Sequence, residues 1–184
     1  MANNSGLGYI TIEGNEGLIR GALLVVDVRG IPMDFRYTDY IRPTKLERIL
    51  YGNALDTYLK EELVLQSLLD AVEAEPQLWI CNDAELLDPL KNIGRVKAVL
   101  ISPSTRQPLE SVGSIESTSE PNVFLLQADG VSAPLRLAFA AGTRSDEIQN
   151  SAALLVEAAG TMELTEPFMR IQKALSSLAS GTEA

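Results

Sequence analysis

Residues Leu18–Tyr37 read L-I-R-G-A-L-L-V-V-D-V-R-G-I-P-M-D-F-R-Y. The run Ala22–Val26 is apolar without alternation, the pattern of a strand covered on both faces. Asp27-Val28-Arg29-Gly30 supplies turn chemistry. Asp bonds backbone amides ahead of it, and Gly tolerates the positive φ that a tight turn needs. Pro32–Tyr37 then returns with Met33, Phe35 and Tyr37 alternating. The stretch therefore predicts a hairpin of strands 18–28 and 32–37 inside a sheet with cover on both sides.

Upstream, Tyr9–Ile12 reads as a short strand and Gly14–Gly17 as a turn. Downstream, Thr44 and Glu47 form a T-x-x-E capping box after Pro43, which predicts a helix with Leu46, Ile49 and Leu50 on one face. Gly52-Asn53 interrupts it. A longer helical pattern runs over 54–75, with Leu55, Tyr58, Leu59, Leu63, Leu68, Leu69 and Val72 as its apolar stripe, and Pro76 closes it. Tyr51 and Tyr58 read as part of that helical stripe. Leu78–Cys81 is a buried strand, Asn82-Asp83-Ala84-Glu85 an N-cap signal for a short helix, and Val96–Ile101 the next strand. Together they form a βαβ pattern. Residues 102–121, rich in Ser and Pro, read as a long flexible polar loop with a weak strand near 109–115. Strands 122–127 and 133–139 flank Asp129-Gly130 as a second hairpin. Thr143 is placed to cap a helix that stops at Gly160. Thr165-Glu166-Pro167 opens a final helix, and residues 180–184 are a frayed tail. The expected fold is a single α/β (mixed α+β) domain over 1–184. A mixed sheet of about six to seven strands is packed by a long broken helix and two C-terminal helices.

Composition narrows the chemistry. The chain has 184 residues, no histidine and one cysteine. Imidazole bases, His-ligated zinc, Ser-His-Asp triads and internal disulfides are therefore excluded. Cys81, in an apolar run, reads as a small buried hydrophobe compatible with a reducing compartment. The glycines match neither a P-loop nor a dinucleotide fingerprint. The start lacks the pattern of a signal peptide, and no apolar run spans a membrane, so a cytoplasmic protein with no membrane partner is expected. The net charge of −10 falls entirely beyond residue 48, because the first 48 residues balance six basic against six acidic groups. A field of that sign repels phosphate backbones, so nucleic acid is expected to be an unlikely partner except locally, at an Arg/Tyr-rich segment.

The local exception is the Arg/Tyr-rich segment 36–58, which holds four of the five tyrosines together with Arg36, Arg42, Lys45 and Arg48. Tyr and Arg are the residue types that anchor interfaces. On that basis the expectation is a non-catalytic adaptor or complex subunit without cofactor. It would work through protein–protein contacts of Arg36, Tyr40, Arg42 and Arg48 with a protein partner or a second copy. Local single-strand binding by stacking on Tyr40 is a further reading.

The alternative is catalytic. The order hairpin, helix, strand, short helix, strand resembles the ribonuclease H-like order. Asp27 follows a buried strand and Asp83 follows the next one. Carboxylates on rigid strand ends are suited to holding a catalytic metal. This reading makes the chain a Mg²⁺- or Mn²⁺-dependent nuclease or phosphodiesterase. Asp27 and Asp83 would be ligands, Asp88 or Glu85 a third, and Arg36 or Arg42 would grip phosphate.

Overall fold

The computed structural model describes residues 6–93 and 97–181. All eight strands belong to one mixed sheet: β1 (Gly6–Asn15), β2 (Leu18–Asp27), β3 (Pro32–Tyr37), β4 (Leu78–Cys81), β5 (Lys97–Ser102), β6 (Ile115–Ser117), β7 (Val123–Leu126) and β8 (Leu135–Ala138). Their spatial order is β3-β2-β1-β4-β5-β8-β7-β6. The first three strands are antiparallel neighbours, β1, β4 and β5 run parallel, and the β8-β7-β6 meander closes the far edge antiparallel.

The expected α/β class is observed, with eight strands rather than six to seven. The added strand, β6, lies inside the Ser/Pro-rich stretch. Backbone and side-chain bonds tie that stretch to the hairpin: Gly113 N–H donates to Gln127 O at 2.8 Å and Leu109 N–H to Gln127 Oε1 at 2.8 Å. Val96, expected to start the fifth strand, and residues 182–184 of the expected tail lie outside the described residues.

The larger correction concerns β1. It is not a short strand at 9–12 but a ten-residue one at the centre of the sheet. Its glycines resemble turn punctuation, yet Gly8 is there for close packing: a Cβ on it would lie 2.4 Å from Cε3 of Trp79. A two-residue turn at Glu16-Gly17, both at positive φ (50° and 78°), joins β1 to β2. That is the type I′ geometry favoured by hairpin twist.

Two layers of cover follow from the central strands. On one face α5 (Ser145–Ala159) and α6 (Glu166–Ala179) bury Leu155, Ile171 and Leu175 against Leu7, Tyr9, Leu24 and Ile80. Tyr9 meets Phe168 edge-on at 5.2 Å, and its hydroxyl donates to Leu164 O at 2.7 Å. On the other face lies the long broken helix. It comprises α1 (Lys45–Tyr51), a 3-10 turn (Gly52–Ala54), α2 (Leu55–Thr57), a π-helical stretch (Tyr58–Leu65) and α3 (Gln66–Ala71). It is joined there by α4 (Leu87–Ile93), and this side buries Leu59, Val64, Leu65, Leu68 and Leu90 against Ile10, Leu23, Val25 and Trp79.

Three local expectations change. The helix ends at Ala71, well before Pro76, because Val72 turns extended. Thr143 does not cap α5; its hydroxyl donates to Ala140 O at 2.6 Å, and the helix starts at Ser145 after Arg144. In α1 the capping box forms as read, but no residue of the helix is buried. Leu46, Ile49 and Leu50 are 63%, 67% and 71% exposed, so the apolar face expected to pack inward faces solvent. Among the described residues no helix is long and apolar enough to cross a membrane.

Candidate functional site

The parallel strands β1, β4 and β5 end on the same side of the sheet, the side on which open α/β sheets place ligands. The β1–β2 turn borders this end. Past β3 the chain returns to it, because Ile41 bridges Ile19 through two backbone bonds of 3.0 and 2.7 Å. That bridge fixes Tyr40 and Arg42 beside the turn. Pro43 is buried, and Thr44 then starts α1: Glu47 N–H donates to Thr44 Oγ1 at 3.2 Å, and Thr44 N–H to the Glu47 carboxylate at 2.6 Å. The bonds from Thr44 hold the Glu47 carboxyl below its usual range. From α1, Arg48 reaches back to Gly17 O at 3.4 Å.

The turn register places Glu13 directly opposite Arg20. The Arg20 guanidinium bonds the Glu13 carboxylate, touches Leu175 O at 3.5 Å, and lies 4.3 Å from the Tyr40 ring centroid. Tyr40 remains 42% exposed, and Arg42, Lys45 and Arg48 are exposed as well. Of the four expected contact residues, Tyr40, Arg42 and Arg48 thus come together at one end of the sheet. Arg36 does not join them. It bonds Asp34 at 2.8 Å and Glu73 at 3.5 Å, and these acids raise its pKa, the Asp34 bond foremost. Arg20 was not anticipated from sequence; the turn register that pairs it with Glu13 was the signal. Tyr51 stacks on Tyr58 at 4.2 Å but is itself exposed, so only Tyr58 belongs to the packed stripe.

The carboxylates chosen for a metal do not converge. Asp27 opposes Gly6 at the start of β1, whereas Asp83 follows Cys81, which opposes Ile10. The two acids are therefore about 20 Å apart along the strand direction, at about 3.3 Å per residue. Ions in a two-metal site sit only about 3.5–4 Å apart. Asp27 closes its own turn. It accepts amide N–H bonds from Arg29 at 2.9 Å and Ile31 at 3.0 Å, with the Arg29 guanidinium at 2.8 Å. The Ile31 bond leads in holding its pKa below the usual carboxylate range.

Asp83 caps the 3-10 turn Ala84–Leu86 by accepting from Glu85 N–H at 3.0 Å. Asp88 and Glu85 line a cavity of about 380 Å³ with Asp56 and Glu61, but Lys60 stands among them, 2.6 Å from Glu85. Among the described residues, which include every Asp and Glu except Glu183, no group of three or more His, Cys, Asp or Glu side chains is placed to hold a metal ion. The Mg²⁺ or Mn²⁺ site built on Asp27, Asp83 and Asp88 does not fit this geometry. Cys81, at the end of β4, is fully buried, and desolvation pushes its thiol up to about 12, so it is an inert core group.

No family model matches the chain, and no curated protein matches it. Solved structures do. Endonuclease V from Streptomyces avermitilis aligns with TM-score 0.58 and 14% identity, over 96% of this chain and 84% of that one. Human ENDOV aligns with TM-score 0.56 and 9% identity, over 94% and 87%. Ciona intestinalis endonuclease V, solved with a 23mer DNA containing an inosine followed by a ribo-adenosine, aligns with TM-score 0.52 and 10% identity, over 86% and 78%. The fold is thus the ribonuclease H-like fold of endonuclease V. These neighbours are nucleases and one of them holds DNA. That overturns the adaptor reading and the expectation that nucleic acid is an unlikely partner.

Proposed function

We propose that this chain acts on nucleic acid, binding a single or locally opened strand at the carboxyl end of its parallel strands. The observation that supports it most directly is the Tyr40–Arg42 segment, pinned beside the β1–β2 turn by the Ile19–Ile41 bridge, with Arg20 against the Tyr40 ring. An exposed aromatic offers a face on which any base can stack, and the neighbouring Arg and Lys groups meet backbone phosphates. The fold likeness to endonuclease V supports the same class of ligand. The acidic remainder of the chain makes the interaction dependent on this one basic patch, and so weak and steeply salt-dependent.

Strand cleavage is the second reading, favoured by the endonuclease neighbours. It would draw on acids at the Asp83 end of the sheet, since Asp27 lies at the other end. One experiment addresses both. Fluorescence anisotropy with labelled single-stranded, duplex and inosine-containing DNA measures binding, and gels of the same mixtures with Mg²⁺, Mn²⁺ or EDTA measure cleavage. Micromolar single-strand binding that fades between 50 and 200 mM salt is the expected result, on the scale of counterion release by about three or four contacts. Absence of binding to every probe at low salt would sink the proposal. Metal-dependent product that persists in Asp27→Asn would establish cleavage independent of the turn carboxylate.

A further inference from the structure

At the opposite end of the sheet, where β4 and β5 begin, lies a cavity of about 320 Å³ lined by Gln77, Leu78, Lys97, Asn150, Ser151 and Leu154. Leu78 and Lys97 are register partners across the β4–β5 ladder, and the other wall is α5. Among the described residues the lining carries one ammonium, two carboxamides and one hydroxyl, and no carboxylate. In a chain with 25 acidic and 15 basic residues, such a lining departs from the general charge pattern. Lys97 is half-buried, and among the described residues no acid pairs with it. Lys60, by contrast, is bonded to Glu85, and Lys91 to Ala141 O.

A second observation comes from Ser151. The residue is only 3% exposed, and among the described residues its Oγ has no hydrogen-bond partner. A helical serine usually turns its hydroxyl onto the carbonyl one turn back; here it does not. An unmet hydroxyl and a half-buried cation without counter-ion both cost free energy until a ligand meets them. Four donor-bearing side chains (Lys97, Gln77, Asn150 and Ser151) match the acceptor-only oxygens of a tetrahedral oxyanion.

We propose that this cavity is a phosphate-binding site. The phosphate is that of a small free anion rather than of a nucleic-acid backbone, because the cavity lies at the far end of the sheet from Tyr40 and Arg42. The site does not depend on the nucleic-acid reading.

The test is a ¹⁵N-resolved NMR titration of the full chain with inorganic phosphate at constant ionic strength, with chloride as control. Expected are saturable shifts centred on Gln77, Lys97, Asn150 and Ser151, and a phosphate-dependent rise in Tm. Lys97→Met should weaken the interaction at least tenfold, and Ser151→Ala should weaken it severalfold. In phosphate-free buffer both variants should keep the wild-type Tm or exceed it, because each removes a group left uncompensated there; this separates loss of the site from loss of the fold. Non-saturating shifts, an equal response to chloride, or an unchanged titration in Lys97→Met would overturn the site. A short 5′-phosphorylated oligonucleotide should not displace the bound phosphate; displacement would overturn the assignment to a free anion.

Discussion

Glu13 and Arg20 face one another directly across the β1–β2 ladder, and the Arg20 guanidinium that bonds the Glu13 carboxylate also sits 4.3 Å from the centre of the Tyr40 ring. Part of the positive charge beneath Tyr40 is therefore neutralised within the protein. Glu13→Gln keeps an acceptor for Arg20 and removes the negative charge. Binding of a single strand is expected to tighten severalfold at low salt, with the two proteins converging near 1 M, where charges a few ångströms apart are screened. Anisotropy titrations across a salt series measure this. Equal affinities at low salt would place the strand away from Arg20.

Tyr40 and Arg42 should fail in different ways. Tyr40→Ala removes a stacking face worth about 1–3 kcal/mol per base, so affinity should drop roughly tenfold or more with an unchanged salt slope. Arg42→Ala removes a phosphate contact, so the slope of log K against log salt should become shallower by about 0.7–0.9. Thermal melts should barely move for either, because both side chains are exposed. The salt series on the two variants discriminates a stacking role from a charge role.

Gly8→Ala tests the centre of the fold. The added methyl would collide with the Trp79 ring at 2.4–2.5 Å, and Trp79 is 2% exposed, with no room to withdraw. Overpacking of this kind costs about 1–3 kcal/mol, occasionally more. Chemical denaturation of the variant should show a lower midpoint with an unchanged m-value. Gly14→Ala, where a Cβ meets only Leu18 O at 3.5 Å, serves as the control.

The same glycine explains what could be read from sequence and what could not. The 18–37 hairpin was legible because its signals are local: an unbroken apolar arm, a D-x-x-G turn and an alternating return. The capping box at Thr44 was legible for the same reason. The central strand reads short because Gly14 falls in the turn pattern and Gly6 and Gly8 are of a residue type depleted in strands, and only the position of Trp79 across the sheet shows why Gly8 is needed. Periodicity correctly made 45–51 a helix but could not show that, among the described residues, none covers Leu46, Ile49 and Leu50. Asp27 and Asp83 each follow an apolar strand, a local resemblance that carries no information on strand direction. Because β2 runs antiparallel to β1 and β4 runs parallel to it, the two carboxylates fall at opposite ends.

Asp27 makes that separation testable. Its carboxylate meets two backbone amides and Arg29 within its own turn. Asp27→Ala should lower the thermal midpoint, because the turn loses the acceptor of two amides and a guanidinium. It should leave strand binding at the Tyr40 end within a factor of two. A large loss of binding in a variant whose thermal melt shows it still folded would contradict the arrangement.

Asp34 should govern part of the acid response. It sits on β3 and ties the edge strand to the segment after α3. Its Oδ2 accepts Glu73 N–H at 2.7 Å and Ala74 N–H at 3.2 Å, while Oδ1 accepts Arg36 Nε at 2.8 Å. Burial pushes its pKa up, but the Glu73 amide, Arg36 and the Ala74 amide together outweigh burial, and the folded-state value lies below the ordinary carboxylate range. A pKa lowered by folding adds stability that is complete above the unfolded value, about 3.9, and is lost as pH falls through the folded value. Asp34→Asn lacks this dependence. The stability gap between wild type and Asp34→Asn should therefore be constant from pH 7 to about 5, then narrow as the solution is acidified below about pH 4. Urea midpoints of both proteins at a series of pH values measure it. A gap that widens on acidification would mean that the Asp34 carboxylate is not stabilised in the folded chain.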